Sequence, residues 1–191
     1  MVEQEQHRAD QPSTWSDGEL VARSLRGDTE SFGALILRYR AMVTGVAYRI
    51  AGDAALADDI AQETFIRLWS KLAAFRPEGS FKGWVCRIAA NLTIDALRKQ
   101  KPTTDISRLD LAGGGTGPEG AALSSEQATQ VRAALMRLPV DSRTVLVLRE
   151  YEGLSYQEIA DTLRVPLGTV KSRLNDARGR LKDELRAYME D

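Results

Sequence analysis

The sequence predicts an all-α protein of two small helical domains joined by a flexible linker, the second containing a helix-turn-helix. Three observations predict it. Apolar residues recur at helical spacing through most of the 191 residues, and no segment alternates convincingly as a strand. Between residues 102 and 123 that pattern stops: Pro102 and the run GGGTGPEG (Gly113 to Gly120) leave few large apolar side chains, as in a flexible linker. Finally, Gly153 to Leu181, GLSYQEIADTLRVPLGTVKSRLNDARGRL, reads as helix, short turn, helix. The expected organisation is a disordered polar tail over 1–15, a first domain over 16–101, a linker over 102–123 and a second domain over 124–191.

In chain order, Ser16 and Glu19 form an S-x-x-E capping box that opens a short helix carrying Leu20, Val21 and Leu25. Gly27 closes it and Asp28 caps the next. That helix runs to about Ile50, with Phe32, Leu35, Ile36, Tyr39, Val43, Val46 and Ile50 on its buried side. Gly52 and Asp53 repeat the stop-and-cap signal. The following helix, about Asp53 to Leu72, is expected to bury Leu56, Ile60, Phe65, Leu68 and Trp69. After the turn Phe75 to Gly79, Ser80 caps a fourth helix that packs through Trp84, Val85, Ile88, Leu92 and Leu97. Beyond the linker, a helix from Ser124 or Ser125 runs to Leu138, where Pro139 ends it. Asp141 is then expected to cap a helix holding Val145, Leu146 and Leu148 and closing at Gly153. Ser155 and Glu158 make a second capping box, and Pro166 suits the first position of the last helix, which buries Val170, Leu174, Ala177 and Leu181.

Composition narrows the function. A net charge of -1 and a pI near 6.0 are not those of a self-sufficient DNA binder. Either the chain does not bind DNA or a partner supplies much of the affinity. The single cysteine, Cys86, excludes an internal disulfide and a Cys-rich zinc site, and suits the core better than a redox role; the single histidine, His7, lies in the tail. With no nucleophile–base pair, metal cluster or phosphate-cradling loop, no enzyme, cofactor or metal is expected. The N-terminus has no apolar run after its charges and no segment is long enough to span a membrane, so a cytoplasmic protein without membrane insertion is expected.

Three surfaces stand out. The last helix leaves Thr169, Lys171, Ser172, Asn175 and Arg178 outward, donors and acceptors of the kinds that read base edges and phosphates. An ordinary helical hairpin with a solvated face is the alternative. The fourth helix carries Lys82, Arg87, Arg98, Lys99 and Lys101 beside Phe75 and Phe81, a composition suited to tracking a single strand. The third helix is acidic outside through Asp53, Asp58, Asp59 and Glu63, with Gln62 beside them, equally a docking surface and a solvated face.

In this order, SDGELVARSLRGDTESFGALILRYR (Ser16 to Arg40), ADDIAQETFIRLW (Ala57 to Trp69), FRPEGSFKGWVCRIAANLTIDALRKQK (Phe75 to Lys101) and LPVDSRTVLVLREYEGLSYQEIADTLRVPLGTVKSRL (Leu138 to Leu174) resemble the extracytoplasmic-function sigma factors of bacterial RNA polymerase. The resemblance implies a transcription initiation factor, not an enzyme, that directs core polymerase to promoters. It implies that Asp58, Asp59, Gln62, Glu63 and Phe65 dock on the polymerase clamp helices, which would resolve the near-neutral charge. It implies that Phe75 to Arg98 captures the melted −10 element. Asn91 stands where the family reads an extruded base, Phe75, Arg76, Gly79 and Ser80 belong to the loop that helps form its pocket, and Arg98 and Lys99 suit the phosphates. An Asn amide can pair with an unstacked base through donor and acceptor together. The helix-turn-helix resembles the −35 reader, with Arg149, Thr169, Lys171, Ser172, Arg173, Asn175 and Arg178 as contacts. Here the chain departs from the family, since Asn175 and Asp176 sit where an aromatic or basic residue is common; Asp176 would repel phosphate or accept from a cytosine amine. The resemblance also implies an anti-sigma partner and a linker ordered by polymerase. A stand-alone helix-turn-helix regulator is the competing reading, but it has no need of the Phe75 to Lys101 segment.

Overall fold

A computed structural model describes residues 14–76, 79–100 and 125–189. The expected tail, apart from Thr14 and Trp15, and the expected linker, with Lys101, lie outside the described residues. Among the described residues there is no strand.

Helix α1 (Asp17–Ser24) starts at the capping box: the Glu19 N–H donates to the Ser16 hydroxyl, and the Ser16 N–H donates to the Glu19 carboxylate at 2.7 Å. Asp28 opens α2 (Thr29–Ala51) by accepting from the Glu30 and Ser31 N–H groups. The Ser31 hydroxyl, at 2.7 Å, holds that carboxyl below the usual carboxylate range. Gly52 ends α2 at φ 77, a left-handed backbone that favours glycine, and a Cβ there would lie 2.5 Å from Met136 Sδ and displace that side chain. Asp53 caps α3 (Ala54–Lys71), which tightens into a 3₁₀ turn at Leu72–Ala74. Ser80 accepts from Gly83 N–H at 3.1 Å and so starts α4 (Phe81–Gln100).

Helix α5 (Ser125–Arg137) leads to α6 (Val140–Leu146), which widens into a π-helical turn, Val147–Tyr151. Asp141 does not cap α6: Pro139 occupies the cap, without a side-chain bond, and Asp141 lies in the first turn, where its charge complements the helix dipole. The second capping box forms as expected at Ser155 and Glu158 and opens α7 (Tyr156–Leu163). Arg164 ends α7 in the left-handed region (φ 55), a conformation rare for a side-chain-bearing residue. Pro166 sits one residue before α8 (Leu167–Met189) rather than inside it, and its carbonyl accepts from Thr169 and Val170 at 2.9 and 3.2 Å.

The first domain buries Leu20, Leu35, Val43, Val46, Ile50, Phe65, Leu68 and Val85, and the second Leu146, Leu148, Ile159, Val170, Leu174 and Ala177. One continuous apolar cluster spans both. Ile60 and Leu92 are buried in a second, smaller cluster with Ala47 and Ala57, and two expected core residues reach solvent instead. Trp69 is 45% exposed, its ring set edge-on to Phe32 at 4.7 Å, because it lies on the outward side of α3. Leu25 is exposed because it is the C-cap of α1, beyond the last residue that faces inward. Phe81 belongs to the core, and Phe75, Phe81 and Trp84 form an aromatic cluster with ring centres 5.2 to 5.8 Å apart. Among the described residues no helix is long and apolar enough to cross a membrane.

Candidate nucleic-acid interface

The recognition helix α8 is positioned by Val170, Leu174 and Ala177, which anchor one side against α6 and α7. This leaves Lys171, Ser172 and Asn175 exposed over its first turns, with Thr169 half-buried and its carbonyl accepting from the Ser172 hydroxyl. Their i, i+3 and i, i+4 spacing places them on one side of the helix, near the end that enters a major groove in helix-turn-helix readers. The other expected contacts are engaged elsewhere. Arg173 pairs with Asp141 at 2.7 Å and so turns back toward α6. Arg178 makes two bonds to Glu150 Oε1, which raise its pKa. Arg149 donates to the Leu154 carbonyl at 2.8 Å and lies over the Tyr156 ring, so it braces the turn before α7. Asp176 is held by Ser142 and by Arg180 Nε, whose cation offsets its charge.

On α4, Arg98 and Lys99 are exposed in the last turn. Arg76, Gly79 and Ser80 are exposed in the preceding loop, where Gly79 N–H bonds the Arg76 carbonyl. Phe75 is not free to stack on a base, since its ring packs on Phe81 and Trp84. Between Ser80 and Asn91 the helix rises about 16 Å. Asn91 is half-buried, and its Nδ2 donates to the Thr162 carbonyl at 3.4 Å.

On α3, Asp58, Asp59 and Gln62 are exposed, and Glu63 pairs with Arg67 at 2.7 Å. Phe65 is 9% exposed and faces the core, so it supports this surface without presenting a side chain to a partner. The apolar residues that do reach solvent are Ile66 (63% exposed) and Trp69, which periodicity alone could have placed on the outward stripe with Asp59, Gln62 and Glu63. No local pattern marks buried Arg143, whose Nη1 donates to the Met136 carbonyl and whose pKa burial lowers to about 10.

A helix-turn-helix domain that presents a recognition helix, beside a helical domain with a basic helix end and an exposed acidic–apolar stripe, is the architecture of a promoter-binding transcription factor. Comparison with known proteins is more specific. The chain matches the family models for Sigma-70 region 2 over residues 35–103 and Sigma-70 region 4 over residues 128–181. It is 36% identical to the RNA polymerase sigma-H factor of Pseudomonas aeruginosa, over 92% of this chain and 96% of that one. It is 35% identical to the ECF RNA polymerase sigma factor SigW of Bacillus subtilis, over 84% and 92%. Among solved structures it is similar to CnrH in complex with the cytosolic domain of CnrY (TM-score 0.67, 26% identity, 90% of this chain and 97% of that one). The fold is also that of RpoE in complex with the anti-sigma factor NepR from Bartonella quintana (TM-score 0.68, 24% identity, 82% and 98%). The chain belongs to the extracytoplasmic-function sigma factors of the sigma-70 family.

Proposed function

We propose that this chain binds bacterial core RNA polymerase and directs it to a specific set of promoters, in response to a stress or envelope signal. The observation that carries this reading is the combination, in one chain, of a recognition helix with Lys171, Ser172 and Asn175 exposed and a first domain matching Sigma-70 region 2. In this reading α8 enters the major groove at the −35 element. Helix α4 and the loop before it take the melted −10 strand, with Asn91 reading an extruded base, Arg76, Gly79 and Ser80 in the loop that helps form its pocket, and Arg98 and Lys99 meeting phosphates. The α3 stripe of Asp58, Asp59, Gln62, Glu63, Ile66 and Trp69 docks on polymerase. Core polymerase then supplies the affinity that a net charge of -1 cannot. An anti-sigma factor is a further proposed partner, supported by the likeness to CnrH, which was solved with the cytosolic domain of CnrY. The expected location is the cytoplasm, where polymerase works.

In vitro transcription with purified bacterial core polymerase and a genomic promoter pool tests the reading. Transcripts that start only when the chain is added support it, and their aligned upstream sequences give both promoter elements. Duplex binding without core, and no added transcripts from a preparation that binds core, would replace it with the stand-alone regulator.

A further inference from the structure

Among the described residues a positive φ occurs at Gly27, Gly52 and Gly153, and at Arg164 (φ 55, ψ 46). Glycine takes this conformation without a clash between Cβ and the backbone, and it is the usual residue just past a helix end. The turn between α7 and α8 asks for no side chain there. Its bonds are backbone bonds, from Arg164 N–H to the Ala160 carbonyl and from Val165 N–H to the same carbonyl at 3.1 Å, and a glycine would make them equally well. Nor does the Arg164 side chain repay its strained backbone within the chain. It is exposed, and it bonds no other group among the described residues. The acid one turn before it, Asp161, accepts from Gln157 instead, at 3.0 Å. Other arginines of the second domain are held: Arg137, Arg173, Arg178 and Arg180 by carboxylates, and Arg149 by a carbonyl. Arg186 is exposed and unpaired like Arg164, but it lies about 28 Å along α8 from its start at Leu167. Arg164 lies at the other end. Three residues separate it from Leu167, so the two Cα atoms are at most about 11 Å apart.

We propose that Arg164 is a phosphate contact of the −35 duplex, gripping the DNA backbone beside the groove that α8 enters. The guanidinium presents its N–H donors in a planar fork, which matches two oxygens of one phosphate. Because no carboxylate of the chain holds it, it meets the phosphate without first breaking an ion pair, as Arg173 and Arg178 would have to. The contact sets where the recognition helix sits and carries no sequence information, since every nucleotide offers the same phosphate. Strain in the turn and an idle cation at its surface thus have one explanation: the side chain acts on DNA and not on the fold.

This inference rests on the reading of α8 as the −35 reader. Its test is binding of reconstituted holoenzyme to a duplex promoter found by transcription, measured across a series of salt concentrations, with the melting temperature of each free variant. Arg164→Gly relaxes the backbone and removes the cation, so stability and binding are expected to move in opposite directions. The melting temperature should rise by about 2–4 °C. Affinity should fall about fivefold at about 0.15 M salt, and the slope of log affinity against log salt should become shallower by about 0.9. The loss should be the same on every single-base variant of the −35 element, as for a contact to phosphate. Arg164→Lys should keep the wild-type slope, and Arg186→Ala, at the far end of α8, should leave it unchanged. An Arg164→Gly chain with wild-type affinity and slope would overturn the proposal. So would a loss that depends on the base, or an equal change of slope in Arg186→Ala. If Lys171→Ala changes the slope and Arg164→Gly does not, this inference alone fails; if neither does, the −35 reading of α8 fails with it.

Discussion

Asp176 has no fixed meaning until its direction is known. On the sequence it either repels phosphate or accepts from a cytosine amine. In the fold it is held by Ser142 and Arg180, while its neighbour Asn175 faces solvent. Asp176→Ala is therefore expected to leave the order of base preference in the −35 element unchanged. Asn175→Ala should flatten that preference at one position by about 1–3 kcal/mol, as measured by duplex binding across a panel of single-base variants. Asn91→Ala should impair open-complex formation at cognate promoters and leave core binding intact, read by permanganate footprinting and by a pull-down. Cys86 yields a pH prediction. It is fully buried, with Met42 Sδ at 3.8 Å, and burial pushes its thiol from 9.0 up to about 12. A raised folded-state pKa stabilises the native state fully below pH 9, and that contribution is lost as the unfolded chain ionises between pH 9 and 12. Near pH 10 the loss is about 1.4 kcal/mol. Cys86→Ala is expected to remove that slope from urea unfolding measured between about pH 8 and pH 10.

At the scale of elements, the sequence shows which segments are helical more clearly than which way their outer residues face. Both capping boxes, at Ser16 and Ser155, are readable because a hydroxyl and a glutamate three residues on are a local code. Ser155→Ala should cost about 1 kcal/mol in chemical unfolding and weaken duplex binding, since α7 supports α8. The π turn at Val147–Tyr151 was not readable, because nothing local distinguishes it from the end of an ordinary helix; it arises where α6 is buried on all sides. Phe65 and Ile66 show the limit of apolar content as a guide. Adjacent residues on a helix lie about 100° apart, so one enters the core while the other reaches solvent. Ile66→Asp with Trp69→Ala is thus expected to weaken core-polymerase binding at least tenfold while costing only about 1 kcal/mol of stability through the lost Phe32 contact, whereas Phe65→Ala should lower stability by about 3–5 kcal/mol through a core cavity.

For the whole molecule, the two-domain helical plan was readable because helical periodicity and its interruption are properties of long stretches. The packing of one domain on the other was not, because Lys82 with Glu152 and Asn91 with Thr162 are 70 and 71 residues apart and neither pair carries a local signal. The candidate site was partly readable for the same reason. Residue type and helical face selected Lys171, Ser172 and Asn175, but ion pairing across elements withdrew Arg173 and Arg178, and only the tertiary fold reveals the Asp141 and Glu150 that hold them. That difference is measurable through salt. Each phosphate neutralised by a cation lowers the slope of log affinity against log salt by about 0.9. Lys171, exposed in the first turns of α8, is expected to contribute one such contact at the −35 element, so Lys171→Ala should make the slope for holoenzyme binding shallower by about 0.9. Arg173 has Asp141 at 2.7 Å and would have to leave it, so Arg173→Ala should change the slope by less than half as much while lowering stability slightly. Equal slope changes for the two variants would mean that Arg173 swings free on DNA and that its pairing with Asp141 belongs to the unbound chain alone.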